Sequence, residues 1–415
     1  MNAIQICTVL TGLLFLFLAW RTRSFTKALF SLQDQVSENL EDVPQVEDSA
    51  QSQWPRLSIV IPARDEGHTI EAAAQSLAKI DYENIEIVFV NDRSTDHTGA
   101  IMNQIAADNS KFKAVHIKAL PERWLGKVHA MYQGVSQTSG EWILMTDADV
   151  HFSPQSLKKA ISYCRKNKLD FLTVIPDLLT PTFGLQMMMA HLYHQASLFF
   201  NPKKLNDSSH KVCYGQGAFL LFNREIYEKS EGLEWLKMEV VDDTGFALMM
   251  RRAGARMGAV SGRNEIMLEW YPSLRSMIRG LEKNAFALCQ YSLPVVIGFT
   301  AMTWLIFLGF TLFPILTQSW TYATFSLSCL LIYLLAIDTQ LKTMMHIRRM
   351  SMLMFPFYYV LFPFIVLRSA ALAKMRSGIQ WRGNFYSLKD LKANQRMKMV
   401  NLVFKAKELQ SASHH

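Results

Sequence analysis

No charged residue occurs between Lys283 and Asp338, and none between Ala3 and Trp20. Runs this free of charge exclude a purely soluble chain. The longer gap has room for two membrane spans, and the shorter, at 18 residues, for one. No basic residue precedes the N-terminal run, whereas Arg21, Arg23 and Lys27 come directly after it. A cleaved signal peptide has the reverse order. Residues 1–30 are therefore expected to be an uncleaved transmembrane anchor, and the positive-inside bias places the next domain in the cytoplasm. The competing reading is an interfacial helix. Between Ser31 and Pro55 there is neither lysine nor arginine, while Asp34, Glu38, Glu41, Asp42, Glu47 and Asp48 crowd together, as in a flexible acidic linker over residues 31–55.

Cysteine is scarce. Cys7, Cys164, Cys213, Cys289 and Cys329 have no metal-ligand spacing and are odd in number. That excludes a disulfide scaffold and points to free thiols in a reducing compartment. There is no internal repeat, no zinc spacing and no basic face rich in aromatics, so nucleic acid is not an expected partner. The net charge of +8 hides an asymmetry. From Leu341 to His415 there are 13 Lys/Arg against Asp390 and Glu408, a net +11 that leaves the rest at −3. A basic tail beside apolar runs suits anionic lipid headgroups or a solubilised cytoplasmic end.

What is present from Leu57 onward is an alternation of strands and helices. Leu57–Ile61, Ile85–Val90, Ala114–Ile117 and Trp142–Thr146 read as short buried strands. Thr69–Lys79, Asp96–Asn109 and Gly126–Gln137 read as the helices between them. The fold class is α/β, with a mostly parallel sheet covered on both faces. Ligands of such sheets sit beyond the carboxyl ends of the strands. The acids gather there: Asp65 and Glu66 after the first strand, Asp92 after the second, Asp147 and Asp149 after the fourth.

Further along, spans are expected near Leu293–Leu316 and Tyr322–Ile337. A third apolar run, Ser351–Leu367, holds Pro356 and Pro363 and has basic residues on both flanks. That makes a simple crossing awkward, and a re-entrant element is the alternative. The expected boundaries are a catalytic domain over 56–290, a transmembrane or re-entrant region over 291–370 and a basic cytoplasmic tail over 371–415.

Asp147-Ala-Asp149 sets two carboxylates across one small residue at a strand end. This suits a hard divalent cation, magnesium or manganese, that also binds phosphate oxygens. The alternative for Asp149 is a helix cap. Asp92 is placed to accept from a ribose hydroxyl or a base N–H, and Asp96 to cap the next helix. Asp65 and Glu66 are divided between ligand contact and capping. Asp242 and Asp243 stand at the start of the helix Thr244–Ala253, where the helix dipole also favours acids.

Pro62-Ala-Arg-Asp-Glu66, Val90-Asn-Asp-Arg-Ser-Thr-Asp96, Asp147-Ala-Asp149 and Val241-Asp-Asp243 occur in that order. Together they resemble family 2 glycosyltransferases, inverting enzymes with the GT-A (Rossmann-like nucleotide-diphospho-sugar transferase) fold. The resemblance spans roughly residues 57–290. It implies that Asp65, Glu66 and Asp92 surround the nucleotide of a UDP-type sugar donor, that Asp149 binds the metal with Asp147 beside the donor, and that Asp243 is the base with Asp242 next to it. Trp124-Leu-Gly-Lys127 resembles a loop of membrane-bound, lipid-modifying members, in which Lys127 would meet donor phosphate; the other reading is a surface lysine. The Gln-x-x-Arg-Trp motif of polymerising members is absent, which argues against a polysaccharide synthase. Arg275 and Arg279 are both candidates for the leaving diphosphate. Ile379-Gln-Trp381-Arg382-Gly383-Asn-Phe-Tyr386 is similar to a stretch in ceramide-, hopanoid- and carotenoid-type glycosyltransferases, in which it returns towards the active site. The implied activity is a hexosyl transfer to a membrane lipid at a bacterial-type plasma membrane. The rivals are a polysaccharide synthase and an inactive membrane scaffold. The Met-rich run Gln186–His194 reads as core or as a membrane-facing helix, with His191 and His194 structural. Gly215-Gln-Gly217 reads as a close backbone approach or a bulge.

Overall fold

The computed structural model describes residues 2–33, 54–205, 207, 212–346 and 351–397. They divide into two compact units. One comprises Leu29–Leu179, Pro202–Trp270 and Asn394–His415, the other Met1–Ala28, Thr180–Asn201 and Tyr271–Ala393. Residues 34–53 of the acidic linker and 398–415 of the basic tail expected from the sequence lie outside the described residues.

The first unit is built on a nine-stranded sheet. Its strands are β1 (Phe30–Ser31), β2 (Leu57–Ala63), β3 (Ile85–Asp92), β4 (Phe112–Ile117), β5 (Trp142–Met145), β6 (Val150–Phe152), β7 (Phe171–Leu178), β8 (Leu220–Asn223) and β9 (Met257–Leu268). They run in the order β1-β9-β7-β8-β5-β2-β3-β4, with β6 added on β9. The four strands expected from the sequence pair in parallel as β5-β2-β3-β4. Residues 57–61 of β2 are buried without alternation, as in a strand covered on both faces. The helices Ile70–Ala78, Thr98–Asp108 and Gly126–Ser136 connect them. β8 is antiparallel to both its neighbours, and β6 is antiparallel to β9, so the sheet is mixed.

Glu86 is the one acid inside β3 before its terminal Asp92. Its Oε1 accepts from Ser58 Oγ at 2.6 Å and from the Ser139 amide at 2.6 Å. Burial raises its pKa, but these bonds outweigh it and hold the carboxyl below the usual range.

The second unit is helical. Ala3–Ala28, Trp320–Met344 and Phe357–Met375 are apolar and long enough to cross a membrane. The first packs on the helices after Leu293 through small residues. A Cβ on Gly12 would stand 2.7 Å from Phe325, and one on Gly309 only 2.1 Å from Thr11. The third apolar run is a continuous helix, Ser351–Met375, that includes both prolines. The sharp break falls earlier. Leu274–Leu288 and Leu293–Gly309 meet at 112°, where Gln290 and Tyr291 take positive φ values of 56° and 50° and end the first helix.

The Met-rich segment forms the helix Phe183–Phe199, with Met187, Met188 and Met189 buried. His194 is fully enclosed and bonded at Nδ1 to Gln340 (2.8 Å) and at Nε2 to the Tyr333 hydroxyl (2.6 Å). This helix is core within its unit, and the two histidines are structural.

Candidate active site

The sheet unit gathers most of the predicted acids. β2 ends at Ala63, and the chain then turns through Asp65, whose φ of 54° is unusual for a residue with a side chain. Asp65 holds this turn. Its amide donates to Ser94 Oγ at 3.0 Å, and its Oδ1 accepts from the Thr95 amide at 2.7 Å. Glu66 is tied to the same loop, its amide donating to Thr98 Oγ1 at 2.8 Å. Asp96 takes the Thr98 and Gly67 amides, both at 3.0 Å, and so closes the start of the helix Thr98–Asp108. The two acid-bearing loops after β2 and β3 are thereby one hydrogen-bonded body.

Asp92 is the last residue of β3 and is buried. Its Oδ1 accepts from Arg93 Nε at 2.8 Å, and its Oδ2 lies 3.9 Å from Arg64. A Cβ on Gly126 would come within 2.3 Å of that Oδ2. Gly126 therefore lets the helix Gly126–Ser136 start against Asp92 and brings the next residue, Lys127, into the cluster.

Lys127 is the centre of the cluster. Its Nζ lies 2.6 Å from Asp147 Oδ1 and 3.6 Å from Asp242 Oδ2. Burial disfavours its charge, but Asp147 and then Asp242 more than restore it and hold the ammonium above its ordinary range. Lys127 is thus no surface lysine. Asp147 and Asp149 come after β5, as expected. Burial, then the negative charges of Asp147 and Glu66, push the Asp149 carboxyl up to about 7. Asp242 and Asp243 form the first turn of the helix Asp242–Arg252 rather than preceding it. Burial, then the charge of Asp242, push the Asp243 carboxyl up to about 6.

The Gly215-Gln-Gly217 segment fits this cluster closely. A Cβ on Gly215 would stand 2.2 Å from the Asp243 carbonyl oxygen. A Cβ on Gly217 would stand 3.4 Å from both Asp147 Oδ2 and Lys127 Nζ, and 4.0 Å from the Asp243 Cβ. Acids from two distant parts of the chain and one lysine thus meet around one stretch of bare backbone.

Residues 58–230 match the family model described as glycosyl transferase family 2. Over that stretch, which is less than half of the chain, the protein is similar to family 2 glycosyltransferases. An uncharacterised glycosyltransferase of Haemophilus influenzae is 24% identical over 185 residues, covering 41% of this chain and 56% of that protein. The 4,4'-diaponeurosporenoate glycosyltransferase of Staphylococcus aureus is 27% identical over 198 residues, covering 46% and 50% respectively. The chain thus spans about half the length of these curated relatives. The mannosyltransferase PcManGT of Pyrobaculum calidifontis, solved in complex with GDP-Man and Mn2+, superposes with a TM-score of 0.51. It is 15% identical, with 90% of this chain and 98% of that one covered. This likeness supports the GT-A fold.

Arg275, Arg279, Trp381 and Arg382 belong to the helical unit. Trp381 ends the strand β10 (Gly378–Trp381), which pairs antiparallel with β11 (Asn384–Ser387). Arg382 and Gly383, with φ of 47° and 79°, make the two-residue hairpin turn, which explains the glycine of that motif. Trp381 lies under Lys283, whose Nζ is 3.5 Å from the ring centre.

Sequence reasoning missed Glu239. It is buried, and its carboxylate accepts from the Val241 amide at 3.2 Å and from the Arg396 and Met397 amides at 2.6 and 3.0 Å. Burial still holds its carboxyl above the usual range. Glu239 joins the last described residues to the segment that leads into Asp242. The signal available was weak: one acid three residues before an acid pair.

Proposed function

We propose that the protein transfers a sugar from a nucleotide-diphosphate donor, UDP-linked, to the hydroxyl of a membrane lipid, with inversion, at the cytoplasmic face of a bacterial-type plasma membrane. The observation that carries this reading is the convergence of Asp147, Asp242 and Asp243 on Lys127 and Gly217 within a glycosyltransferase domain. The membrane acceptor is supported by the apolar helices and by a relative named for diaponeurosporenoate glycosylation.

Asp243 is the base. It takes the proton of the acceptor hydroxyl as that oxygen bonds to the anomeric carbon and the bond to the donor phosphate breaks on the opposite face. A carboxyl raised to about 6 is still ionised at neutral pH and is a stronger base than an ordinary aspartate. Burial and then the charge of Asp242 raise it, and the Lys127 ammonium lies between Asp147 and Asp242. Asp65, Glu66 and Asp92 line the nucleotide end.

Among the described residues, no three acidic, histidine or cysteine side chains form a metal cage. Magnesium and manganese sites on diphosphates use one or two carboxylates and take the rest from phosphate and water. Asp149 and Asp147 fit that demand, because a cation would offset the charges that now crowd Asp149. Such an ion would neutralise the diphosphate as the sugar leaves.

The test is transfer of radiolabel from a panel of UDP-sugars into lipid, using membranes with the full chain and with Asp243→Asn, with and without chelator. Metal-dependent label in the organic phase, lost in the variant, is the expected result. Label in a water-soluble polymer would mean a synthase, and no transfer from any donor by folded protein would mean a scaffold.

A further inference from the structure

In the helical unit, the helix Leu274–Leu288 carries an unbalanced positive face. Its first turn is closed by a capping box between Ser273 and Ser276, so the backbone amides there are already engaged. Arg275 and Arg279 are exposed, one turn apart, where like charges repel. Neither pairs with a carboxylate among the described residues. The acid nearest in sequence on the helix, Glu282, is spent elsewhere: its Oε2 accepts from Arg368 at 2.9 Å and its Oε1 from Arg376 at 2.6 Å. Lys283 is occupied by the Trp381 ring.

Arg275, Arg279 and Arg368 surround a concavity of about 490 Å³ together with Leu274 and Ile278. Guanidinium forks match the oxygens of a phosphate in pairs. A free phosphate ion, however, has no use for a leucine and an isoleucine in its site. An amphiphile does, and the location suits one. This helix buries Met277, Leu281, Ala285 and Phe286 inside its unit and turns by 112° into the apolar helix Leu293–Gly309, whose Ile297, Met302 and Leu305 are exposed. Exposed arginines joined at a steep bend to a helix with exposed apolar side chains suit the level at which a membrane surface meets its core.

We propose that Arg275, Arg279 and Arg368 hold the phosphate of an anionic membrane phospholipid, with Leu274 and Ile278 against its glycerol and upper acyl carbons. The site rests on the membrane reading above and uses none of the residues of the acid cluster. Its role is to seat the helix Leu274–Leu288 at the headgroup level of an acidic bilayer.

The test uses the full chain, purified in detergent and moved into nanodiscs of equal parts phosphatidylcholine and phosphatidylglycerol. Bound phosphatidylglycerol is followed by native mass spectrometry for wild type, Arg275→Gln/Arg279→Gln and a control, Lys389→Gln/Lys392→Gln. The control removes two exposed charges of the same sign from the same unit. The expected result is phosphatidylglycerol retained by wild type and control, with affinity on the order of tenfold lower in the arginine variant. Equal retention by all three proteins would overturn the site. Displacement of the lipid by millimolar inorganic phosphate would also overturn it, and would assign the cluster to a soluble anion. Vesicle flotation of the same protein separates the two levels. A chain that fails to float defeats the membrane reading and the site with it, whereas flotation with unchanged retention defeats the site alone.

Discussion

Replacing Gly215 by alanine should disable the protein more than any other single methyl group added near the acid cluster. The new Cβ would meet the Asp243 carbonyl oxygen at 2.2 Å, its carbonyl carbon at 2.7 Å and the Ala247 Cβ at 3.3 Å. Two of these atoms are backbone in the first turn of a helix and cannot rotate aside. Restoring an ordinary carbon–oxygen contact requires the turn to retreat by about 1 Å, and overpacking of this kind costs about 1–3 kcal/mol. A displacement of that size at a base lowers turnover on the order of a hundredfold. Gly217→Ala is the matched control. Its methyl would make contacts of 3.4 Å and longer with side chains only, so the fold should be unchanged within about 0.5 kcal/mol. The assay is denaturant unfolding of both variants beside initial rates of transfer with the best donor. Wild-type stability and wild-type kcat in Gly215→Ala would refute the argument, because the Asp243 backbone would then not be held against Gly215.

The electrostatics of the cluster set further outcomes. The rate should fall as pH drops through about 6, where Asp243 takes up its proton, and a pH–rate profile reads this directly. The same carboxyl, raised in the folded state above its ordinary value of 3.8, binds its proton more tightly folded than unfolded. It therefore costs stability increasingly as pH rises through that window, so Asp243→Asn should melt above wild type at pH 8 and lose the advantage towards pH 4. Lys127→Met should destabilise by about 1–2 kcal/mol, less than for a fully buried pair because the lysine is part-exposed, and should weaken donor binding; calorimetric titration with the nucleotide-sugar checks the second point.

β2–β5 and the helices between them are legible in the sequence, because buried parallel strands are short apolar runs ending at polar turns. β6 and β8 are not. They have three and four residues, no clear alternation, and pair with strands far away in the chain. The acids at the strand ends can be named from their positions, and Lys127 from its motif. Its place between Asp147 and Asp242 cannot, since that depends on Gly126 letting a helix start against Asp92. The hairpin holding Trp381, Arg382 and Gly383 shows the converse. Its glycine, marked in the sequence only through a resemblance, has a local cause in the two-residue turn. Ser351–Met375 is one helix, whereas the proline and charge pattern of its first part leaves a re-entrant element open; the break that the chain does contain is set by two consecutive positive-φ residues that no local composition marks.

Glu239 also sets an order of events during synthesis. Its carboxylate receives Arg396 from 157 residues further along, and the segment in between contains, among the described residues, every apolar membrane-length helix after the first. While the chain is being made, that carboxylate is buried or hydrated without its last two donors, next to the acid pair. The sheet unit therefore reaches its finished form only after the helical unit has left the ribosome. A protein assembled this way completes the segment beside its acid cluster last, once its apolar helices have been delivered.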